Sequence, residues 1–387
     1  MTAITTPPSK QPAFLRARAF YFLFYAGLAF LTPYLGIYYR SHGLVGWQIG
    51  ILSAIPSIMI LTVAPLWGAF ADQTHSHRNF LALSIAGAIF FALVLSQVST
   101  FAVLLPVVAL YSFFAAPIPA LADNAVMQML AGQRELYAKQ RLWGAIGWGL
   151  TSTFVGALTD LTGINWTFSG YAILLSFGLL VAWGLPFAST KSVVDFWSQA
   201  SRLLANPRWL SFLAIAFVSG VAYGSVGNYL FLFLTSLGAS ITLMGLSLTI
   251  ATVSELSIYL ISGWLFQRWN RRTLFIFGLA AYVVRLAAYA VAPAPWAVLL
   301  IQLLHGLTFG IIWTAGVAYA DEIAPPGLGA TAQGTFSAMM MGLGSATGAM
   351  LAGLLIDAFG YHGMYAWMAW ILFTGLIVFL LVNRKMA

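Results

Sequence analysis

Apolar runs of about twenty residues follow one another along the chain, separated by short polar turns. A run of that length matches an α-helix crossing roughly 30 Å of hydrocarbon. The pattern predicts twelve spans, near 14–39, 47–71, 79–98, 102–130, 140–161, 167–188, 209–236, 243–266, 273–292, 295–320, 330–358 and 363–383. The one long polar connection, 189–208, falls between the sixth and seventh. The chain therefore reads as an all-α integral membrane protein of twelve helices in two six-helix bundles, 1–188 and 209–387, joined by a cytoplasmic linker at 189–208.

The second half repeats the first. Gly43, Gly50 and Gly68 recur as Gly238, Gly245 and Gly263, and Tyr34 and Ser41 recur as Tyr229 and Ser236, all 195 positions on. Gly156, Asp160 and Gly163 recur as Gly353, Asp357 and Gly360, 197 positions on. A shared offset over this length predicts duplicated, pseudo-symmetric units with a central substrate site.

Composition sharpens this picture. Only 7% of the 387 residues are charged and 61% are hydrophobic, so a charge inside a span is costly and marks a place to look for function. The net charge of +8 is dispersed over short loops and not gathered into a stripe, which argues against nucleic acid. Placing the N-terminus in the cytoplasm puts fifteen of the seventeen Lys and Arg on that side, leaving Arg40 outside and Arg285 within a helix. Both termini are thus expected to be cytoplasmic, in the cell membrane. The polar first twelve residues resemble no cleavable signal. With no Cys, thiolate metal sites are excluded, and neither a His-Glu-x-x-His motif, a Walker lysine motif nor a recognisable catalytic serine frame occurs. An enzyme is not expected, and neither is a metal site, although His75 and His77 stand near Asp72.

Six polar side chains interrupt the runs: Asp123, Arg141, Trp148, Glu255, Arg285 and His305. Arg141 and Trp148 are seven apart and share a helix face. An indole suits the C–H face of a sugar ring, and an acid with an arginine offers acceptors and forked donors to hydroxyls. Glu255, Arg285 and His305 lie on three successive helices, where protonation of the acid can depend on conformation.

Gly68, Asp72 and Arg78 at the end of the second helix, with Gly263, Arg268, Arg271 and Arg272 in the second half, resemble the loop motif of the major facilitator superfamily. Gln73, His75 and Gln267 depart from it. The resemblance implies a gating role for Asp72, Arg78, Arg268 and Arg271. Asp123, the run Arg141, Trp143, Gly144, Gly147, Trp148, and the order Glu255, Arg285, His305 resemble the lactose permease group of oligosaccharide/proton symporters. Thr308 stands where that group carries its proton-bearing acid. The Arg141 run, Leu304 to Thr308 and Ala332 to Gly334 also resemble the phenylpropionate-permease-like branch. These resemblances imply import of a small polar solute by alternating access, with the proton as coupling ion and no cofactor. The substrate site is expected to use Asp123, Arg141, Trp148, Asn228, Tyr229 and Glu255, and coupling to use Glu255, Asp123, Arg285 and His305. A nearly balanced set of charges favours a sugar-like solute; an aromatic carboxylate, a nucleoside and an uncoupled facilitator are the alternatives. The lipid bilayer and a small molecule are the expected partners, with no obligate protein partner and a monomer sufficient.

Overall fold

The computed structural model describes residues 11–130, 134–185, 203 and 206–385, so nearly all of the expected linker lies outside the described residues. Those residues form helices joined by short turns. Helix α1 (Gln11–Leu31) passes through a tight turn at Thr32–Tyr34 into α2 (Leu35–Ser41), followed by α3 (Gly46–Thr74), α4 (His77–Leu95), α5 (Phe101–Ala115), α6 (Ile118–Leu130), α7 (Arg134–Thr162) and α8 (Trp166–Trp183). The second half runs α9 (Pro207–Ser236), α10 (Ile241–Arg268), α11 (Arg271–Ala290), α12 (Pro295–Gln302), a π-helical turn (Gly306–Gly310), α13 (Ile311–Ile323), α14 (Gly329–Ser337), a second π-helical turn (Ala338–Gly344) and α15 (Ser345–Lys385).

These elements carry the twelve expected spans. Ten stretches of the described residues are long and apolar enough to cross a membrane, and the longest, Gly329–Arg384, contains two spans divided at Gly360. The remaining span is α7, whose Arg134, Glu135, Lys139, Arg141 and Asp160 lower its hydropathy. Aliphatic side chains such as Leu161 (85% exposed) and Leu260 (87%) face outward, as lipid contact requires and water would penalise.

Local chemistry starts and stops the helices. Asn206, Ser240 and Asn270 cap α9, α10 and α11 by accepting from Arg208 N (3.0 Å), Leu243 N (3.2 Å) and Thr273 N (2.7 Å). The repeat has a conformational basis as well. Gly43 and Gly238 have φ of +81° and +80°, and Gly163 and Gly360 have +87° and +69°. A left-handed turn is required at the same places in both halves, and glycine adopts it without a Cβ penalty.

The chain divides into two compact units, one of Met1–Leu35 with Thr62–Ser192 and one of Gly36–Leu61 with Val193–Ala387. Within the first, α1 lies along α7 and α8. The glycines of α7 form the notch: a Cβ on Gly144 would lie 2.5 Å from the Tyr25 ring, and one on Gly147 would lie 2.5 Å from Phe22 O. Within the second, α9 packs along α15, with Gly220, Gly224 and Gly348 set against facing backbone. Asp357 also caps α3 there, accepting from Gly46 N at 2.7 Å and Trp47 N at 2.8 Å.

Candidate functional site

Two polar clusters stand inside the apolar helices, one in each unit. In the first, the close approach of α1 to α7 sets Tyr21 and Tyr25, one helical turn apart, against Arg141. Arg141 Nη1 donates to Asp123 Oδ1 at 3.0 Å and Oδ2 at 3.2 Å, while its Nη2 donates to the Tyr25 hydroxyl at 2.7 Å. Tyr21 donates to Asp123 Oδ1 at 2.7 Å. The guanidinium carbon lies 5.8 and 5.4 Å from the Tyr21 and Tyr25 ring centroids, which adds cation–π attraction. Arg141 is 39% exposed and Asp123 29%, so the pair is open on one side. The α1–α7 seam continues with Arg18 Nε donating to Gln140 Oε1 at 3.1 Å.

Trp148 lies on the same face of α7, two turns or about 10 Å beyond Arg141, and is half-buried. The expected acid–arginine pair is therefore formed, with the indole further along its helix.

In the second unit, Ser254 joins α10 to the widened turn that follows α12. Its hydroxyl donates to Leu303 O at 2.6 Å and accepts from Gly306 N at 3.0 Å. Both backbone groups are thereby satisfied, and a Cβ on Gly306 would collide with Ser254 O. This junction brings Glu255 opposite His305, with Oε2 3.6 Å from Nε2 and both side chains 20% exposed. The Tyr259 hydroxyl donates to Glu255 Oε1 at 2.5 Å.

Arg285 is buried, 2% exposed. It donates to His305 Nδ1 (3.0 Å), Thr308 Oγ1 (2.8 Å), Gln302 Oε1 (2.6 Å) and the Tyr289 hydroxyl (3.1 Å). Gln302, His305 and Thr308 are spaced by three and turn one face toward the guanidinium. Beside this cluster the rings of His305, Phe309 and Trp313 form a near-parallel series, 5.5 and 6.1 Å between centroids, and Tyr223 stacks on Phe309 at 5.2 Å.

Other expected positions have different surroundings. Tyr229 is fully buried, and its hydroxyl lies 3.1 Å from both Gly46 O and Ala349 O, so it closes packing between helices and offers no free group to a solute. Asn228 is half-buried, with Nδ2 bonded to Gly224 O at 2.8 Å. Asp72 faces His77 at 3.2 Å, whereas Arg78 reaches Leu185 O at 3.4 Å. The turn at Thr74–Ser76 folds the histidine back onto the carboxylate. Arg268 lies over the Trp264 ring, 4.8 Å from its centroid, and Arg271 pairs with Glu322 at 2.9 Å. Tyr21, Tyr25, Tyr259, Gln302 and Tyr289 join the clusters without having been singled out from sequence; the only advance signals were the four-residue spacings on their helices and the position of Gln302 three before His305.

Residues 14–367 match the model of the MFS_1 like family. The maltose permease of Geobacillus stearothermophilus is 25% identical over 370 residues, spanning 95% of this chain and 93% of the permease. The xanthosine permease of Escherichia coli K12 is 23% identical over 261 residues, 62% of each chain. The crystal structure of the nucleoside transporter NupG superposes with a TM-score of 0.87 and 18% identity, covering 96% of this chain and 99% of that one. At that identity the likeness is one of fold.

Proposed function

The chain belongs to the MFS_1 like family of multi-pass membrane transporters, and from that premise we propose that it imports a neutral, hydroxyl-rich organic solute, sugar-like in character, by proton symport and alternating access. The supporting observation is how charge is balanced. Each cluster holds one carboxylate and one guanidinium: Asp123 takes Arg141 directly, and Glu255 is linked to Arg285 through His305. A carboxylate substrate would have to compete for an arginine already engaged. A neutral polyol only has to exchange hydrogen bonds with Asp123, Arg141 and Glu255, with Trp148 available to a ring face.

A second reading, a nucleoside, is favoured by the near-parallel rings of Tyr223, Phe309 and Trp313 beside Glu255, because a nucleobase stacks on such a surface. The xanthosine permease and NupG are named for that class. In both readings the membrane is the cell membrane, the termini are cytoplasmic, the protein acts as a single chain, and Asp72, Arg78, Arg268 and Arg271 serve gating.

Proteoliposomes with an imposed pH gradient test the proposal. Labelled sugars or nucleosides should accumulate and phenylpropionate should not; failure of every sugar and nucleoside to accumulate would refute it. Glu255→Gln should abolish gradient-driven accumulation while leaving downhill exchange measurable. Full accumulation by that variant would remove Glu255 from coupling.

A further inference from the structure

The hydrogen bonds of Arg285 determine where the protons of its neighbours lie. A guanidinium has only donors, so each group it touches must present a lone pair. Among the described residues Arg285 forms no direct ion pair; its partners are Tyr289, Gln302, His305 and Thr308. The Thr308 hydroxyl sends its own proton to His305 O at 3.0 Å, leaving its oxygen free to accept. Gln302 turns its oxygen to the guanidinium, and its Nε2 is left buried with no hydrogen-bond partner, so the arginine sets the amide orientation at the expense of an orphaned donor. At His305 the same rule places a lone pair on Nδ1, and the proton of the neutral ring is then on Nε2, the nitrogen that faces Glu255 Oε2.

We infer that Arg285 is a positioning residue that holds His305 as the neutral Nε2–H tautomer, so that the proton exchanged at this cluster is taken up on Glu255 Oε2 and not on the imidazole. The coupling part of this inference rests on the proton-symport reading above; the tautomer does not. A second proton on His305 would have to enter at Nδ1, where a guanidinium N–H already points from 3.0 Å, and two like-charged donors would meet with no acceptor between them. Glu255 has no such obstacle. Its Oε1 is occupied by the Tyr259 hydroxyl, whereas among the described residues Oε2 has the long 3.6 Å contact to His305 and can form an O–H bond with a proton delivered by water.

The remaining surroundings are consistent with this division. Tyr282 and Tyr289 from α11 lie under the guanidinium, Tyr259 and Glu255 come from α10, Tyr223 comes from α9 by way of Phe309, and Gln302 and Thr308 flank the histidine on its own segment. Glu255 is therefore the one acid in direct contact with His305 among the described residues. Gln302 and Thr308 acquire a role: they solvate the arginine without neutralising it, so its charge persists when Glu255 is protonated. A carboxylate at position 308 would take the guanidinium for itself and release Nδ1.

Nitrogen NMR of ¹⁵N-histidine-labelled protein in nanodiscs, with His305 assigned by loss of its signals in His305→Gln or by their shift in Thr308→Val, reads the tautomer directly. Between about pH 5 and 8 the wild type should keep an unprotonated Nδ1 and a protonated Nε2, and Arg285→Lys, which keeps the charge but loses the fork, should admit the Nδ1–H form. An Nδ1–H tautomer or an imidazolium in the wild type over that range would overturn the inference. Infrared difference spectra on acidification provide an independent measurement: a carboxylic C=O band should vanish in Glu255→Gln and persist in His305→Gln, and the reverse pattern would overturn it. Absence of gradient-driven uptake despite an Nε2–H tautomer would count against the transport reading alone.

Discussion

Arg141 is the side chain on which the first cluster depends, because its planar fork serves Asp123 and Tyr25 at once. A lysine keeps the charge but concentrates it at one nitrogen on a flexible stem, and the geometry that satisfies the carboxylate no longer satisfies the phenol. Arg141→Lys should therefore lose about one charge-assisted hydrogen bond, roughly 1.5–3 kcal/mol, seen as a tenfold or greater weakening of substrate binding in equilibrium dialysis. Wild-type affinity in the variant would show that the fork is not used. At this scale the sequence was only partly legible. Asp123 and Arg141 stood out because charge is costly in an apolar run, but Tyr21 and Tyr25 resembled ordinary membrane aromatics. Their importance follows from which face of α1 fits the Gly144 and Gly147 notch, a packing outcome invisible to hydropathy.

Among the elements, the segment from α12 through the π-helical turn into α13 is the one whose irregularity creates a site. Gln302, His305 and Thr308 are three apart, steps of about 60° around a regular helix, and the segment leading into the widened turn at Gly306–Gly310 presents all three to Arg285. Ser254 sustains the irregularity by serving both Leu303 O and Gly306 N. Ser254→Ala leaves the exposed Leu303 O and the part-buried Gly306 N without that partner, at about 1–3 kcal/mol for an orphan held away from water, and should lower the midpoint of thermal unfolding in detergent. It should also alter the pH dependence of transport, since Glu255 is the next residue. An unchanged midpoint together with an unchanged pH profile would mean that the turn holds without its serine. The existence of this helix was readable from its apolar length, whereas the π-helical turn was not, because Gly306, Leu307 and Thr308 carry no signature that separates a widened turn from an ordinary one.

For the whole molecule, the repeat was legible because it rests on backbone conformation. The pairs Gly43/Gly238 and Gly163/Gly360 all adopt positive φ, and the shared offset survived where side chains diverged. Orientation rests on a different argument, the partition of charge. The turn between α2 and α3 is preceded by Arg40 alone, whereas the turn between α3 and α4 is followed by Arg78, and the turn between α10 and α11 is bracketed by Arg268, Arg271 and Arg272. Retention of Lys and Arg on the cytoplasmic side predicts His42 outside and Gln73 inside. The chain offers a clean test because it contains no Cys, so any thiol introduced is unique. Both His42 and Gln73 are exposed. A membrane-impermeant maleimide applied to intact cells should label His42→Cys and spare Gln73→Cys until the membrane is permeabilised. The opposite pattern would invert the molecule in the bilayer and, with it, the direction in which a proton entering along its gradient could carry a solute.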